Sequence, residues 1–190
     1  IVAAARTPIG RAFKGSLASE RPDDMVAQIV SQAMAQVPQL GVDDLNDLIL
    51  GCGTPGGEQG FNMARVAAVL LGYDTLPGVT VNRYCSSSLQ TTRMAFHAIK
   101  SGEVDAVISA GVESVSSSTK GDADNIPGTM NPAFDAAQAR SLAAAEDDDR
   151  GSWSDPRNTG LLPDVYIGMG LTAENVATVC DVSRAEMDEY

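Results

Sequence analysis

The chain has 190 residues, 44% of them hydrophobic, and 13 Lys and Arg against 25 Asp and Glu give a formal net charge of −12. That length and apolar content can bury the core of one domain or one and a half, while the acidic balance, with no basic run to neutralise phosphates, excludes a nucleic-acid role. No apolar run approaches a membrane span and no charged-then-apolar leader is visible, while the start at Ile1 without methionine, in a strand-like run, suggests that a short leader is missing. The three cysteines, Cys52, Cys85 and Cys180, show no metal-ligand spacing. Such cysteine usage suits a reducing compartment, and the cytoplasm is the expected location.

Residues 1–5 read as a first strand, broken by Arg6, Thr7, Pro8 and Gly10. Pro22 followed by Asp23 and Asp24 starts a helix, with proline in the first turn and carboxylates near the positive dipole end. Met25, Ile29, Met34 and Val37 lie along it as core residues, and it ends near Pro38. Residues 45–50 form a second strand, closed by the turn-rich GCGTPGG, in which Cys52 reads as structural. A helix over 62–71 carries Ala64, Ala67, Ala68 and Leu71 on helical spacing, small residues that suit close packing.

The stretch 79–111 reads as strand, tight turn, helix, turn, strand. Val79, Val81 and the run 104–110 have the short β-branched character of strands buried on both faces, with Leu89, Arg93, Phe96 and Lys100 at helical spacing between them. Gly102 stands at the helix stop. Such a βαβ crossover implies a parallel sheet here. Gly111, Glu113, Ser114 and Ser116 follow the last strand at a carboxyl end, where α/β sheets place their sites. Residues 116–158 shift toward Ser, Ala and Asp, with a short helix near 134–145, an acidic solvated run over 145–158, and Trp153 as a loop anchor. Order returns with a helix over 172–179, Cys180 packing at its end, and a second helix announced by the capping box Ser183 to Glu186.

Cys85 opens the 79–111 helix, where unpaired backbone N–H groups and the positive dipole end both favour thiolate. The same N–H groups can hold the oxygen of a tetrahedral intermediate, and Ser86, Ser87 and Ser88 are small capping-type residues. Spacing alone leaves two readings open, a nucleophile and a buried structural cysteine. The only histidine, His97, stands twelve residues further along the helix, about 18 Å away. It cannot serve Cys85 and reads as structural.

VNRYCSSSLQ followed by SAGVESVS resembles the nucleophile and downstream glycine-rich segments of thiolases, and IVAAARTPIGRAFKGSL, GEQGFNMARVAAV and MGLTAENVATVCDVSRAEMDEY match thiolase patterns in the same order. The resemblance implies an α/β thiolase-like fold, a mixed five-stranded sheet with helices on both faces. Residues 1–118 would be its amino-terminal domain and 119–190 part of the loop domain, which contacts coenzyme A. It implies that Cys85 accepts an acyl group from coenzyme A thioesters, that Met169 and Gly170 lie against the pantetheine arm and acyl group, and that Asn62 and Arg65 lie near a dimer interface. It assigns base work away from Glu113, leaving that residue as a carboxylate that accepts hydrogen bonds from nearby loops. Acyl-CoA and coenzyme A are the expected small-molecule partners, as substrates and not cofactors, with a homodimer or homotetramer as the assembly.

The activating histidine, second cysteine and asparagine of thiolases belong to a carboxy-terminal half whose motifs are absent here. Three departures stand out: Ser88 replaces a glycine and would add two atoms that are accommodated or narrow the site, Phe61 replaces a polar residue, and Val115 a methionine. Gly168 replaces the histidine of biosynthetic acetoacetyl-CoA thiolases, which points to longer substrates. A ketoacyl synthase, which shares the fold and cysteine position, is the rival activity. A non-catalytic fragment or dimerisation module is the reading from another class.

Overall fold

The computed structural model describes residues 1–120, 124, 126–146 and 153–190. They divide into two compact units, residues 1–126 and 127–190. The first is built on a three-stranded sheet in the order β2-β1-β3, with β1 (Asp47–Gly51), β2 (Gly78–Val81) and β3 (Val107–Gly111) all parallel.

Strand β1 is central because its apolar run can be covered on both faces. Leu48 and Leu50 face a core made by Val26 and Val30 of α1 (Pro22–Met34) and by Met63, Ala64, Ala67 and Ala68 of α2 (Met63–Leu70). Ile49, also buried, alternates to the other face, which α3 (Ser87–Ser101) covers. The strand starts two residues later than its apolar run suggests because Asn46 turns aside. Its N–H donates to the Ala106 carbonyl, and its Oδ1 accepts from Asp105 and Ala106 N–H at 3.0 Å each, joining β1 to the start of β3.

Helix α2 is strapped to β2 by side chains at its start. Asn62, left-handed at φ 54°, donates from Nδ2 to the Gly78 carbonyl at 2.9 Å and accepts from Thr80 Oγ1 at 3.0 Å. Arg65 donates to the carbonyls of Tyr73, Leu76 and Asp74 at 3.1, 2.9 and 2.7 Å, closing the turn between α2 and β2.

Four expectations are corrected among the described residues. The described residues form three parallel strands, not five in a mixed sheet, and residues 1–5 are not a strand. Ala4 spends both its N–H and its carbonyl on the Gln36 side-chain amide, at 3.4 and 2.9 Å, instead of on a neighbouring strand. The flanking strands are not buried on both faces, since Val79 is 38% exposed and Ser109 is exposed. Nor does α3 bury the face read from its apolar spacing. Leu89 and Phe96 are 73% and 60% exposed, and the inward face is Ser87, Thr91 and Ala95. Small residues face the sheet because α3 lies directly on two of its glycines, too close for large side chains.

The end of α3 follows its local signal. Gly102 is left-handed at φ 76°, its N–H reaches the Ile99 carbonyl, and Glu103 N–H reaches Ala98.

In the second unit, α4 (Asp135–Glu146) is tied to the segment before α5 (Met169–Cys180) by Arg140, which donates to the Leu162 carbonyl at 2.5 Å. The Phe134 and Tyr166 rings meet edge to face at 5.6 Å. Helix α5 is three residues longer at its start than expected. Helix α6 (Arg184–Glu189) has the expected capping box, Ser183 N–H donating to Glu186 Oε2 at 2.8 Å and Glu186 N–H to Ser183 Oγ at 3.3 Å. Cys180 is exposed and not packed, and Trp153 is 45% exposed. The centre of the acidic run, residues 147–152, lies outside the described residues. Among the described residues no helix is long and apolar enough to cross a membrane.

Candidate active site

The site is built where three strands end together. Gly51 is in register with Val81 and with Gly111, so the carboxyl ends of β2, β1 and β3 form one ledge. The first turn of α3 rests on it. A Cβ at Gly51 would fall 2.6 Å from the Ser87 carbonyl carbon, and one at Gly111 would fall 1.8 Å from Ser88 Oγ and 2.9 Å from Ser88 Cβ. Two glycines at matched register are what let the helix start so close to the sheet. The extra atoms of Ser88 are therefore accommodated against Gly111.

Between Val81 and Ser87 the chain turns through Tyr84, whose φ of 44° is left-handed for a bulky residue. Side chains on either side hold it there. Asn82 Oδ1 accepts from Tyr84 N–H at 2.7 Å, while Ser87 Oγ accepts from Arg83 N–H at 2.9 Å and donates to the Tyr84 carbonyl at 2.6 Å. The next residue, Cys85, is free and exposed in the 3-10 turn Tyr84–Ser86 that runs into α3. Ser86, expected as a capping-type residue, makes no side-chain cap, and the Ser87 N–H that opens α3 donates to the Tyr84 carbonyl through the 3-10 turn. Of the two readings that spacing left open for Cys85, burial as a structural residue does not hold. Among the described residues no base is bonded to its sulfur.

Beneath this turn lies a polar cluster centred on Glu113, two residues beyond β3. Its carboxylate accepts from Gly53 N–H at 2.6 Å, Thr54 N–H at 3.3 Å, Thr54 Oγ1 at 2.5 Å and Gln59 Nε2 at 3.0 Å. Glu113 therefore has the loop-gathering role expected of it. Gln59, 3% exposed, also accepts from Ser114 N–H at 2.6 Å. Gln59 was not singled out from sequence, although it lies in the thiolase-like segment GEQGFNMARVAAV; only its burial and hydrogen bonds reveal its work. Cys52 is fully buried beside the cluster, and burial first, then the Glu113 charge, pushes its thiol up to about 11. It stays protonated.

Of the remaining predicted residues, Asn62 and Arg65 share the α2 start but spend their polar atoms on the β2 straps described above. His97 is exposed on α3, its ring 5.6 Å from that of Phe96. Met169 and Gly170 begin α5 in the second unit, with Gly168 as its N-cap. Met169 is 72% exposed, not a core methionine. No atom lies within 4 Å of where a Cβ at Gly168 or Gly170 would stand. Among the described residues no three His, Cys, Asp or Glu side chains are grouped to hold a metal ion.

A free thiol on a braced, left-handed turn at a helix start without a side-chain cap is open to an electrophile. The profile described as "Thiolase, N-terminal domain" matches residues 1–190. The chain is 39% identical over 192 residues to a 3-ketoacyl-CoA thiolase of Bacillus subtilis, covering 100% of this chain and 42% of the relative. It is 40% identical over 191 residues to a beta-ketoadipyl-CoA thiolase of Pseudomonas knackmussii, covering 98% and 44%. A 3-oxoadipyl-CoA/3-oxo-5,6-dehydrosuberyl-CoA thiolase of Escherichia coli is 36% identical over 189 residues, covering 97% and 43%. The chain thus spans less than half the length of these curated relatives.

Proposed function

The chain belongs to the thiolase family, whose amino-terminal domain it matches from end to end, and from that premise we propose that Cys85 is the acyl-accepting nucleophile of a thiolase. The protein carrying this chain transfers an acyl group between a 3-ketoacyl-CoA and coenzyme A. In the degradative direction Cys85 Sγ adds to the 3-keto carbonyl, and the bond between the α and β carbons breaks with its electron pair going to the α carbon. That carbon takes a proton and leaves as acetyl-CoA. The acyl group remains on Cys85 as a thioester until the coenzyme A thiol displaces it. Condensation is the reverse.

The observation that carries this reading is the exposed Cys85 thiol at the start of α3, which has no side-chain cap. Its amides would hold the oxyanion formed at the attacked carbonyl. The base, the proton donor at the α carbon and the second oxyanion site come from parts of the protein beyond these residues, because His97 stands exposed along α3.

Met169 and Gly170 meet the pantetheine arm, a role that the exposure of Met169 supports. The open space at Gly168 supports acyl chains longer than acetoacetyl. Asn62 and Arg65 lie at a homodimer or homotetramer interface in the cytoplasm, with Phe61, 93% exposed, beside them. The test is incubation of the intact protein with acetyl-CoA and acetoacetyl-CoA, followed by peptide mapping and a thiolysis assay. An acetyl adduct on the Cys85 peptide, with adduct and turnover both lost in Cys85→Ala, is expected. No adduct and no turnover would overturn the reading, and condensation only with decarboxylation of a malonyl thioester would reassign the protein to the ketoacyl synthases.

A further inference from the structure

Cys85 is aimed by a turn whose strained residue is Tyr84, and what lies under Tyr84 is Gly53. A Cβ at Gly53 would stand 2.7 Å from Glu113 Oε2 and 3.4 Å from both the carbonyl carbon and the oxygen of Tyr84. The Tyr84 carbonyl carbon is bonded to the Cys85 nitrogen. Glu113 and the Tyr84–Cys85 peptide group therefore flank the space beside Gly53 where a side chain would stand, and the carboxylate leaves no room for one.

The carboxylate sets the height of Gly53. It accepts from Gly53 N–H at 2.6 Å and holds the following residue by both its amide and its hydroxyl, at 3.3 and 2.5 Å. Glu113 is itself held from below by Gln59 Nε2 at 3.0 Å, and Gln59 Oε1 takes the N–H of Ser114 at 2.6 Å. The strut continues into the sheet, where Cys52 N–H donates to Val81 and Val112 N–H to Gly51. A left-handed tyrosine persists only where its surroundings over-determine it. Asn82 and Ser87 do so from the side, and the Glu113 to Gly53 stack does so from beneath.

We propose that Glu113 is a positioning residue for Cys85, acting through Gly53 to hold the Tyr84–Cys85 peptide plane and with it the direction of the thiol. This rests on Cys85 being the nucleophile. The donors Glu113 gathers are two backbone amides, a hydroxyl and a side-chain amide, so a carboxylate, which only accepts, suits the place and a carboxamide does not. Glu113→Gln turns an N–H toward one of those donors, lets the 53–54 loop lift, and frees Tyr84 to relax to negative φ.

The test measures iodoacetamide alkylation at Cys85 by peptide mapping in the intact protein, using the exposed Cys180 of the same molecule as internal reference. Glu113→Gln is expected to lower the Cys85 rate severalfold relative to Cys180, because a turn relaxed from φ 44° swings the thiol out of the exposed position that admits the reagent. Glu113→Asp restores part of it by restoring the acceptor. In thiolysis the same variant lowers kcat with KM for the acyl-CoA little changed. Thr54→Val, which deletes one donor and leaves the carboxylate, moves the Cys85 rate in the same direction by a smaller factor and serves if Glu113→Gln does not fold. A Cys85 rate within twofold of the parent in folded Glu113→Gln, or in Thr54→Val if that variant alone folds, overturns the proposal. Alkylation needs no acyl transfer, so a protein that never takes an acyl group fails the thiolase reading without deciding this one.

Discussion

Replacing Gly111 by alanine would place a Cβ 1.8 Å from Ser88 Oγ and 2.9 Å from Ser88 Cβ. The hydroxyl can rotate away, but the Cβ contact remains well inside the roughly 3.5–4.0 Å optimum for carbon atoms. The first turn of α3 cannot simply slide, because Gly51 already bears on it with a Cβ position 2.6 Å from the Ser87 carbonyl carbon. Overpacking of this kind costs about 1–3 kcal/mol, which for a chain of this size lowers Tm by roughly 2–4 °C per kcal/mol. The informative experiment is the double-mutant cycle with Ser88→Gly. Removing both offending atoms leaves the Gly51 carbonyl oxygen, at an ordinary 3.6 Å, as the next nearest neighbour of the new methyl. Gly111→Ala should then be nearly silent, against a cost of about 0.5–1 kcal/mol for glycine in the helix. Urea unfolding of the four proteins should return a coupling of about 1–2 kcal/mol. Costs that simply add would mean that Ser88 and Gly111 are not in contact, and the account of how α3 reaches the sheet would fail with them.

In native protein iodoacetamide should alkylate Cys85 and Cys180 and spare Cys52, which is buried with its thiol pushed up to about 11; labelling of Cys52 without unfolding would contradict that burial. Asp47 opens β1 with Oδ1 buried and unpartnered, and desolvation raises its carboxyl above the ordinary range. Its folded form therefore favours the protonated state, so its contribution is most favourable below the unfolded value and is lost as pH rises through the raised one. Asp47→Asn should gain stability at neutral pH and none in acid, read from urea midpoints at the two pH values; an equal effect at both would exclude the titration. Gly102→Ala meets no atom within 4 Å but must adopt φ 76°, so about 1 kcal/mol of pure backbone strain is expected, visible as a Tm loss of a few degrees. No loss would mean that α3 ends elsewhere.

The parts of the fold legible in the residues were those with local causes. Gly102 stops α3 because only a residue without Cβ takes φ 76° cheaply, and Ser183 with Glu186 caps α6 because three residues bring side chain and amide together. The turn at Cys85 was legible for the same reason, as a cysteine and small residues between a strand and a helical spacing. The misreadings concern what lies across a gap in the chain. Leu89 and Phe96 have helical periodicity, yet periodicity names a face without saying which way it points. Residues 1–5 have strand composition, but a strand needs a neighbour, and Ala4 is held by Gln36 instead.

The candidate site divides along the same line. The proposals that Cys85 is the reactive thiol and that Met169, Gly170, Asn62 and Arg65 serve substrate and interface came from residue types in order along the chain and their likeness to thiolases. What Cys85 stands on came only from the fold. Gly51 and Gly111 are sixty residues apart and become one ledge through strand register, and Glu113 reaches Gly53, sixty residues back, through a hydrogen bond no pattern announces. By itself the sequence determined the elements, the thiol and the family, because those follow from side-chain chemistry and spacings of a few residues. Tertiary structure decided which face of α3 is buried, how Ser88 is accommodated and what braces the nucleophile's turn, because each depends on atoms that only strand pairing brings within a few ångströms.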